Sequence, residues 1–489
     1  MKNIFITTPI YYVNDNPHIG HAYTSIVCDV LSRYYRLKED TSVKFLTGTD
    51  EHGQKVENAA KKNKKNPKEF VDDVSQRFKS LTKILNISND DFIRTTEERH
   101  KKTVELIWNK LIEKKQLYLG KYEGWYSVKD EAFYQEKELK KVNEHFQTQD
   151  GVKVEWVKEE SYFFKLSNWQ KPLLDFYTKN AEFIKPNSRR NEVISFVKSG
   201  LRDLSVSRTS FDWGIKVPKN DKHVIYVWID ALTNYLSALE YPESQKHKSF
   251  WENSIHVIGK DILKFHAVYW PAILMASELS PPKQIFAHGW WTNEGQKISK
   301  SFNNTIDPIE LTEKYGLDQF RYFLLREVPL GQDGDFSETS FIKRINSDLA
   351  NNLGNLIQRT LKFLEKNFDN TIPYEITNNL KEKVLLDTYE LSSKINHKIQ
   401  AFEYSKALED IFNQIDQLNQ FIDKEKPWES IKNNLSKAGY TLSILIESLR
   451  VISIILLPFL PDSSKKILDI LNIKIDERTF KNLKINFCV

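Results

Sequence analysis

Three apolar residues, Ile4, Phe5 and Ile6, lead into a proline-broken segment and then a helical stripe, and this order constrains the fold more than any other stretch. A short continuous apolar run of this kind reads as a buried strand. Pro9 and Pro17 disfavour helix before them. Past Gly20, the residues Ile26, Val27, Val30, Leu31 and Tyr34 share one helical face. The unit is therefore strand, loop, helix, with His18 and His21 on either side of Ile19 and Gly20 at the helix start. Unpaired N–H groups and the positive dipole end make such a start a seat for phosphate. Imidazoles there can donate to phosphoryl oxygens, and Gly20 lets a flat base approach the backbone; taken alone, the pair reads equally well as a helix cap.

The alternation then repeats. Residues 43–46 read as a second buried strand that runs into a polar, glycine-bounded loop from Thr47 to Gly53. In open α/β sheets ligands lie outside the carboxyl ends of strands. Asp50 in that loop can hold an ammonium group by a charge-assisted hydrogen bond, although Asp50 or Glu51 fits a helix cap equally well. The basic run 61–65 reads as a solvated helix end, and Asn66, Pro67 and Glu69 read as the cap, first-turn proline and capping-box acid of the next helix. Residues 92–94 form a third short strand, followed by a helical stripe of Val104, Ile107, Trp108 and Leu111. Strands alternating with helices imply a parallel sheet with right-handed crossovers.

From 116 to 224 the helical units shorten and polar-aromatic pieces intervene, which reads as an inserted subdomain. The α/β pattern resumes at 224–229, and 255–258 and 285–289 are further strands. The first of these two ends in Gly259, Lys260, Asp261 and Ile262, and the helix after it carries His266 and Trp270 on one face. Past His288 a turn leads to Lys297-Ile298-Ser299-Lys300-Ser301, a glycine-flanked loop with two ammonium groups. Such a loop suits a site that closes over a triphosphate and later opens. From Asp318 onward no strand pattern of any length returns, and helical stripes cover 341–368, 384–421 and 431–460.

Composition removes several classes. The chain has 489 residues, of which 40% are apolar, so several real cores are possible and disorder is excluded. A net charge of +5 permits a polyanionic partner without demanding one. Two cysteines, Cys28 and Cys488, support neither a disulfide framework nor a cysteine-based zinc site; the first reads as a small core residue and the second as loosely held near the chain end. The longest apolar run, 451–460, is too short for a membrane span, and no signal peptide is visible, so a soluble cytoplasmic protein is expected.

The stretch His18-Ile19-Gly20-His21 resembles the HIGH signature of class I aminoacyl-tRNA synthetases, and Lys297-Ile298-Ser299-Lys300-Ser301 resembles their KMSKS signature with Ile in the Met position. The flanks are similar to the methionyl branch of that family over essentially the whole chain. The resemblance implies an α/β fold: a Rossmann-like parallel-sheet catalytic domain split by a connective-peptide insertion, then an all-α anticodon-binding domain. The expected division is 1–115 and 225–295 for the two catalytic halves, 116–224 for the insertion, 296–340 for the KISKS loop and stem-contact region, and 341–489 for the helical domain. The implied reaction is activation of L-methionine by ATP, accompanied by Mg²⁺, and transfer of methionyl to the 3′ end of tRNA(Met), initiator and elongator, by a monomer without membrane contact.

The same resemblance implies residue roles. His18, His21, Lys297 and Lys300 are the expected catalytic groups, and Gly20, Gly259, Asp261, His288 and Lys300 the ATP-binding ones. Ile10, Tyr12, Asp50, Trp228, Ala231, Tyr235, Ile262, His266 and Trp270 are expected around methionine, with Tyr12 or His266 as a donor to its sulfur. Without the resemblance, Trp228, Tyr235 and Trp270 read as ordinary core aromatics. Leu232 stands where some relatives carry proline. Asn355, Arg359 and Trp428 are expected at the anticodon, against an alternative of a surface Arg and a core Trp. Many relatives hold zinc through cysteines in the insertion; this segment has none, and Glu131, Glu136 and His145 lack ligand spacing, so no metal site is expected. Another class I synthetase, a small-molecule nucleotidyltransferase and a non-catalytic RNA-binding module remain as other readings of the residues.

Overall fold

The computed structural model describes residues 2–13, 16–127, 132–134, 136–142, 145–149, 151–244, 246–297, 306–373 and 382–483. Its centre is a six-stranded sheet of β1 (Lys2–Tyr12), β2 (Thr41–Asp50), β3 (Asp91–Arg94), β4 (Ile184–Lys185), β5 (Ser254–Gly259) and β6 (Gln284–His288). The spatial order is β3-β2-β1-β5-β6-β4 and every pairing is parallel. The chain moves outward from β1 to β2 and β3, then returns to β5 on the other side of β1. This reversal opens a crevice at the carboxyl ends of β1 and β5, where a doubly wound sheet takes its ligand.

Both first strands run further than their apolar runs suggest. β1 passes through Pro9 because its register against β2 shifts between Thr7 and Ile10, where the ladder dispenses with the missing N–H. β2 continues through Gly48 to Asp50, so 47–50 is a strand end and not a loop. Gly48 faces Ile93 of β3, and a Cβ at that position would stand 2.1 Å from the Ile93 carbonyl oxygen. The glycine that punctuates the sequence is there for close strand approach.

Period-two alternation along β1 divides the core. Ile4 and Ile6 pack on the face covered by α1 (Ile19–Arg36), with Ile26, Val30 and the C-terminal helices beyond. Phe5 points to the opposite face, where Trp108 and Trp270 are buried. Each such side chain contributes about 1.5–3 kcal/mol by leaving water.

The inserted region holds an antiparallel sheet of Leu117–Ser127, Ala132–Tyr134, Glu155–Phe164 and Leu204–Ser205. It also supplies β4, which closes one edge of the parallel sheet. Residues 224–229 do not resume that sheet. Asn220–Ile225 pairs antiparallel with Ser207–Arg208 and Lys216–Val217, and Val227–Asp230 is helical. The strand starts wet and ends buried, a pattern antiparallel sheets accept and parallel ones do not.

Among the described residues the C-terminal region is helical, with one exception: the short strand Gly334–Phe336 lies parallel to Trp291–Asn293. It clasps the hairpin in which Thr292 pairs with Lys297. The stripe 384–421 is two helices, Lys383–Gln400 and Tyr404–Glu425, broken where Phe402 adopts a φ of 61°. The break lays the Phe402 ring on Phe286 of β6 at 4.1 Å and lets the Tyr404 hydroxyl donate to the Val27 carbonyl at 3.3 Å. The helix Leu435–Leu456 extends well beyond the apolar run 451–460 and is long and apolar enough to cross a membrane, yet 94% of its apolar window is buried among the other helices. Cys28 is a buried free thiol, and Cys488 lies outside the described residues.

Candidate active site

The start of α1 stands at the crevice. His18 is its cap: Nδ1 accepts from the Gly20 N–H at 3.1 Å, while the His18 N–H donates to Nδ1 of His21 at 3.0 Å. The rings lie 3.9 Å apart. Because each Nδ1 accepts a backbone hydrogen, each neutral ring carries its proton on Nε2. The cap therefore sets the tautomer, and two Nε2–H donors remain for a ligand. A Cβ on Gly20 would stand 2.9 Å from Cε1 of His18, so the glycine is needed by the cap itself.

Crowding around these rings disfavours their charged forms. It lowers the pKa of His18 below the ordinary imidazole value even though that side chain reaches the surface, with the Asp261 carboxylate pulling the other way. His21 is pushed well below that value by burial and by its neighbour His18.

Gly259 and His288 end neighbouring strands and pair in register. Nδ1 of His288 donates to the Gly289 carbonyl at 2.8 Å, and the Thr24 hydroxyl of α1 lies 2.8 Å from Nε2. With both nitrogens engaged, His288 bounds the crevice through its ring and offers it no free donor. Asp261 is exposed just past β5 and accepts from Trp290 Nε1 at 3.2 Å. Its charge is felt by His18, His266 and His288, so the helix start and the end of β5 face one another.

Beside this lies a cluster of aromatic and aliphatic side chains. Ile10, Trp228 and Ile262 are half-buried against the core that contains Tyr235 and Trp270, and Ala231 is buried. Tyr12 and Asp50, register partners on β1 and β2, line one small cavity together. The Tyr235 hydroxyl donates to Nε2 of His266 at 2.8 Å, while Nδ1 of that ring donates to the Ile262 carbonyl at 3.0 Å. Burial drives the His266 pKa down to about 4. The expected donation from His266 to a sulfur is thus corrected: its only proton is already used and its acceptor is filled. Leu232, in the wall, is 5% exposed and packs in the same core.

Asp230, His52 and His100 carried no signal of their own in the sequence, apart from lying next to Ala231 and Asp50 or in a plain helical stripe. Asp230 Oδ2 accepts from Nδ1 of His52 at 2.7 Å, and Oδ1 accepts from Nε2 of His100 at 2.8 Å. Burial alone pushes this carboxyl up, but the two imidazoles more than offset it and hold the pKa near 2.

Lys297 has its backbone in the hairpin, and Lys300 lies outside the described residues, as does Glu131. Far from the crevice, Asn355 and Arg359 begin the helix Asn355–Phe368, and the Arg359 guanidinium lies 5.3 Å from the centre of the Trp428 ring. Trp428 is 40% exposed, so it is not a core residue, and Arg359 pairs with Asp423 beside it. Among the described residues no group of three or more His, Cys, Asp or Glu side chains converges as a metal site.

Residues 4–361 match the family model for class I tRNA synthetases (M), and residues 372–485 match that for the anticodon binding domain of methionyl tRNA ligase. A methionine–tRNA ligase of Rickettsia bellii is 55% identical over 495 residues, spanning 99% of this chain and 96% of the relative. One from Brucella suis is 48% identical over 488 residues, spanning 99% and 94%. Mycobacterium tuberculosis methionyl-tRNA synthetase in complex with methionyl-adenylate superimposes with a TM-score of 0.96 at 42% identity, covering 99% of this chain and 97% of that one. The apo form of the same enzyme superimposes with a TM-score of 0.88 at 40% identity, covering 99% and 95%.

Proposed function

The chain belongs to the methionyl branch of the class I aminoacyl-tRNA synthetases, and from that membership we propose how its side chains divide the reaction. The reaction is methionine–tRNA ligation: L-methionine and ATP give methionyl-adenylate and pyrophosphate, and the methionyl group passes to the 3′ end of tRNA(Met). In the first step the methionine carboxylate attacks the α-phosphorus. In the second a terminal ribose hydroxyl, the 2′ one in this class, takes the acyl group.

Phosphoryl transfer asks for positioning and charge stabilisation more than for a protein nucleophile. His18 and His21 donate through Nε2–H to phosphoryl oxygens, with the α1 dipole behind them. Lys297 and Lys300 offset charge gathering on the departing pyrophosphate. Gly20, Gly259 and Asp261 hold the adenosine, Asp261 through ribose hydroxyls, and His288 bounds the site with its ring. Mg²⁺ enters with the nucleotide as its counter-ion.

Asp50 takes the methionine ammonium group. Ile10, Tyr12, Trp228, Ala231, Tyr235, Ile262 and Trp270 enclose the side chain, whose sulfur packs well against ring edges. His266, neutral and held at both nitrogens, keeps the Tyr235 hydroxyl turned away from the apolar chain. Asn355, Arg359 and Trp428 meet unstacked anticodon bases by edge hydrogen bonds and stacking. The active form is read as a soluble cytoplasmic monomer; burial of the long apolar helix Leu435–Leu456 supports the soluble part of that reading.

One observation carries this assignment: two Nε2–H donors, fixed by a helix cap, stand at the reversal of strand order beside a cluster of aromatic side chains. ATP–pyrophosphate exchange run with each proteinogenic amino acid in turn is the test. Exchange with methionine is expected, and exchange with a different amino acid alone overturns the reading.

A further inference from the structure

Two segments that bear methionine-site residues meet on one buried carboxylate, and a third reaches it through the His100 ring. Asp230 ends the short helix Val227–Asp230, with Trp228 before it and Ala231 after it. His52, its partner at 2.7 Å, lies just past Asp50 at the exit of β2. His100, its partner at 2.8 Å, belongs to the helix Glu98–Glu113, and the Ser237 hydroxyl lies 3.0 Å from the other nitrogen of that ring. Ser237 shares the short helix Asn234–Ser237 with Tyr235. Asp230 is 1% exposed, His100 0% and His52 8%. Asp230 and His52 also line the small cavity that holds Tyr12 and Asp50.

We propose that Asp230 is a positioning residue of the methionine site: through His52 and His100 its carboxylate fixes the strand end bearing Asp50 relative to the turn bearing Trp228 and Ala231. The inference rests on the methionine-site reading above. A carboxylate does this better than apolar packing because its two oxygens fix the direction of both rings, and neither ring can slide without leaving a buried charge unpaired. Methionine needs an ammonium partner and a side-chain slot at one set separation, and a displacement of about 1 Å is enough to cost on the order of a hundredfold.

His52 can be changed without losing its loop. Glu51 pairs with Arg94 at 2.6 Å, and the Glu51 carbonyl accepts from Trp213 Nε1 at 2.6 Å. The His52→Asn variant keeps an N–H donor near the position of Nδ1, and the His52→Leu variant removes it. Methionine affinity is read from quenching of tryptophan fluorescence, KM for ATP from pyrophosphate exchange, and folding from Tm. Expected is a rise in methionine Kd of about 10–100-fold for His52→Leu and Asp230→Asn, little change in KM for ATP, and recovery of most of the affinity in His52→Asn. Wild-type methionine affinity in His52→Leu overturns the proposal. So does a parallel rise in both constants with a fall in Tm. Should the wild-type chain prefer another amino acid, the methionine reading fails, while the same series run with that amino acid still decides the role of Asp230.

Discussion

Asp29 and Arg321 face each other across 2.8 Å with neither side chain exposed. Asp29 belongs to α1, whose start carries His18 and His21; Arg321 belongs to the helix Leu317–Arg326. Arg321 also donates to the Phe459 carbonyl at 3.0 Å and the Pro458 carbonyl at 2.9 Å. The pair thus ties α1 to the C-terminal helices through the core. Burial pushes the Asp29 carboxyl up, but Arg321, Arg33 and the Ser88 hydrogen bonds outweigh it and hold it below the usual carboxylate range.

Removing one partner leaves a buried charge. Asp29→Ala is expected to cost on the order of 3–5 kcal/mol, and Asp29→Leu combined with Arg321→Met to recover much of that. Thermal unfolding of the three proteins checks it. A single variant as stable as the wild type would show that the pair contributes nothing.

Acid should weaken the fold well before the carboxylates titrate. Burial lowers the pKa of His18, His21, His256, His266 and His288, that of His266 to about 4. The unfolded chain binds protons that these rings refuse, so stability is full above about pH 6.5 and falls as pH drops toward the folded values. For His266 alone the loss by pH 4 is on the order of 3 kcal/mol. Asp29 and Asp230, held below the usual range, lose their contribution only at still lower pH. Tm measured at pH 7 and pH 5 should be lower at pH 5; an equal or higher value contradicts the account.

Much of this was legible in the residues. The apolar runs at 4–6 and 43–46 mark two adjacent strands, and the stripe from Ile26 to Tyr34 marks α1. What the pattern hid is set by contacts between distant segments. Gly48 reads as a loop residue because its reason, the Ile93 carbonyl, lies on another strand. Pro9 reads as a break because a register shift is invisible in one strand alone. β4 is two residues long and has no period to detect. His52, His100 and Asp230 are ordinary letters until folding brings them together across 178 and 130 residues. A helix-capping role for His18 and His21 was legible from their place at the helix start; their tautomers came from the hydrogen bonds.

Anticodon recognition should separate cleanly from activation. Trp428→Ala removes an exposed ring on which Arg359 rests. ATP–pyrophosphate exchange should stay intact, while tRNA charging loses about 1–3 kcal/mol of binding, the worth of one stacked base. If both activities fall together, Trp428 is structural.

The most direct test of the central claim is His18→Asn. Asparagine caps helices well, so α1 should keep its start and stability should change by less than about 1 kcal/mol. The Nε2–H proposed to meet the phosphates is lost. Rapid-quench measurement of methionyl-adenylate formation in a single turnover should then show a rate slowed on the order of 10²-fold, with methionine affinity little altered. A rate equal to that of the wild type would contradict the assignment of the capping histidines to phosphoryl transfer.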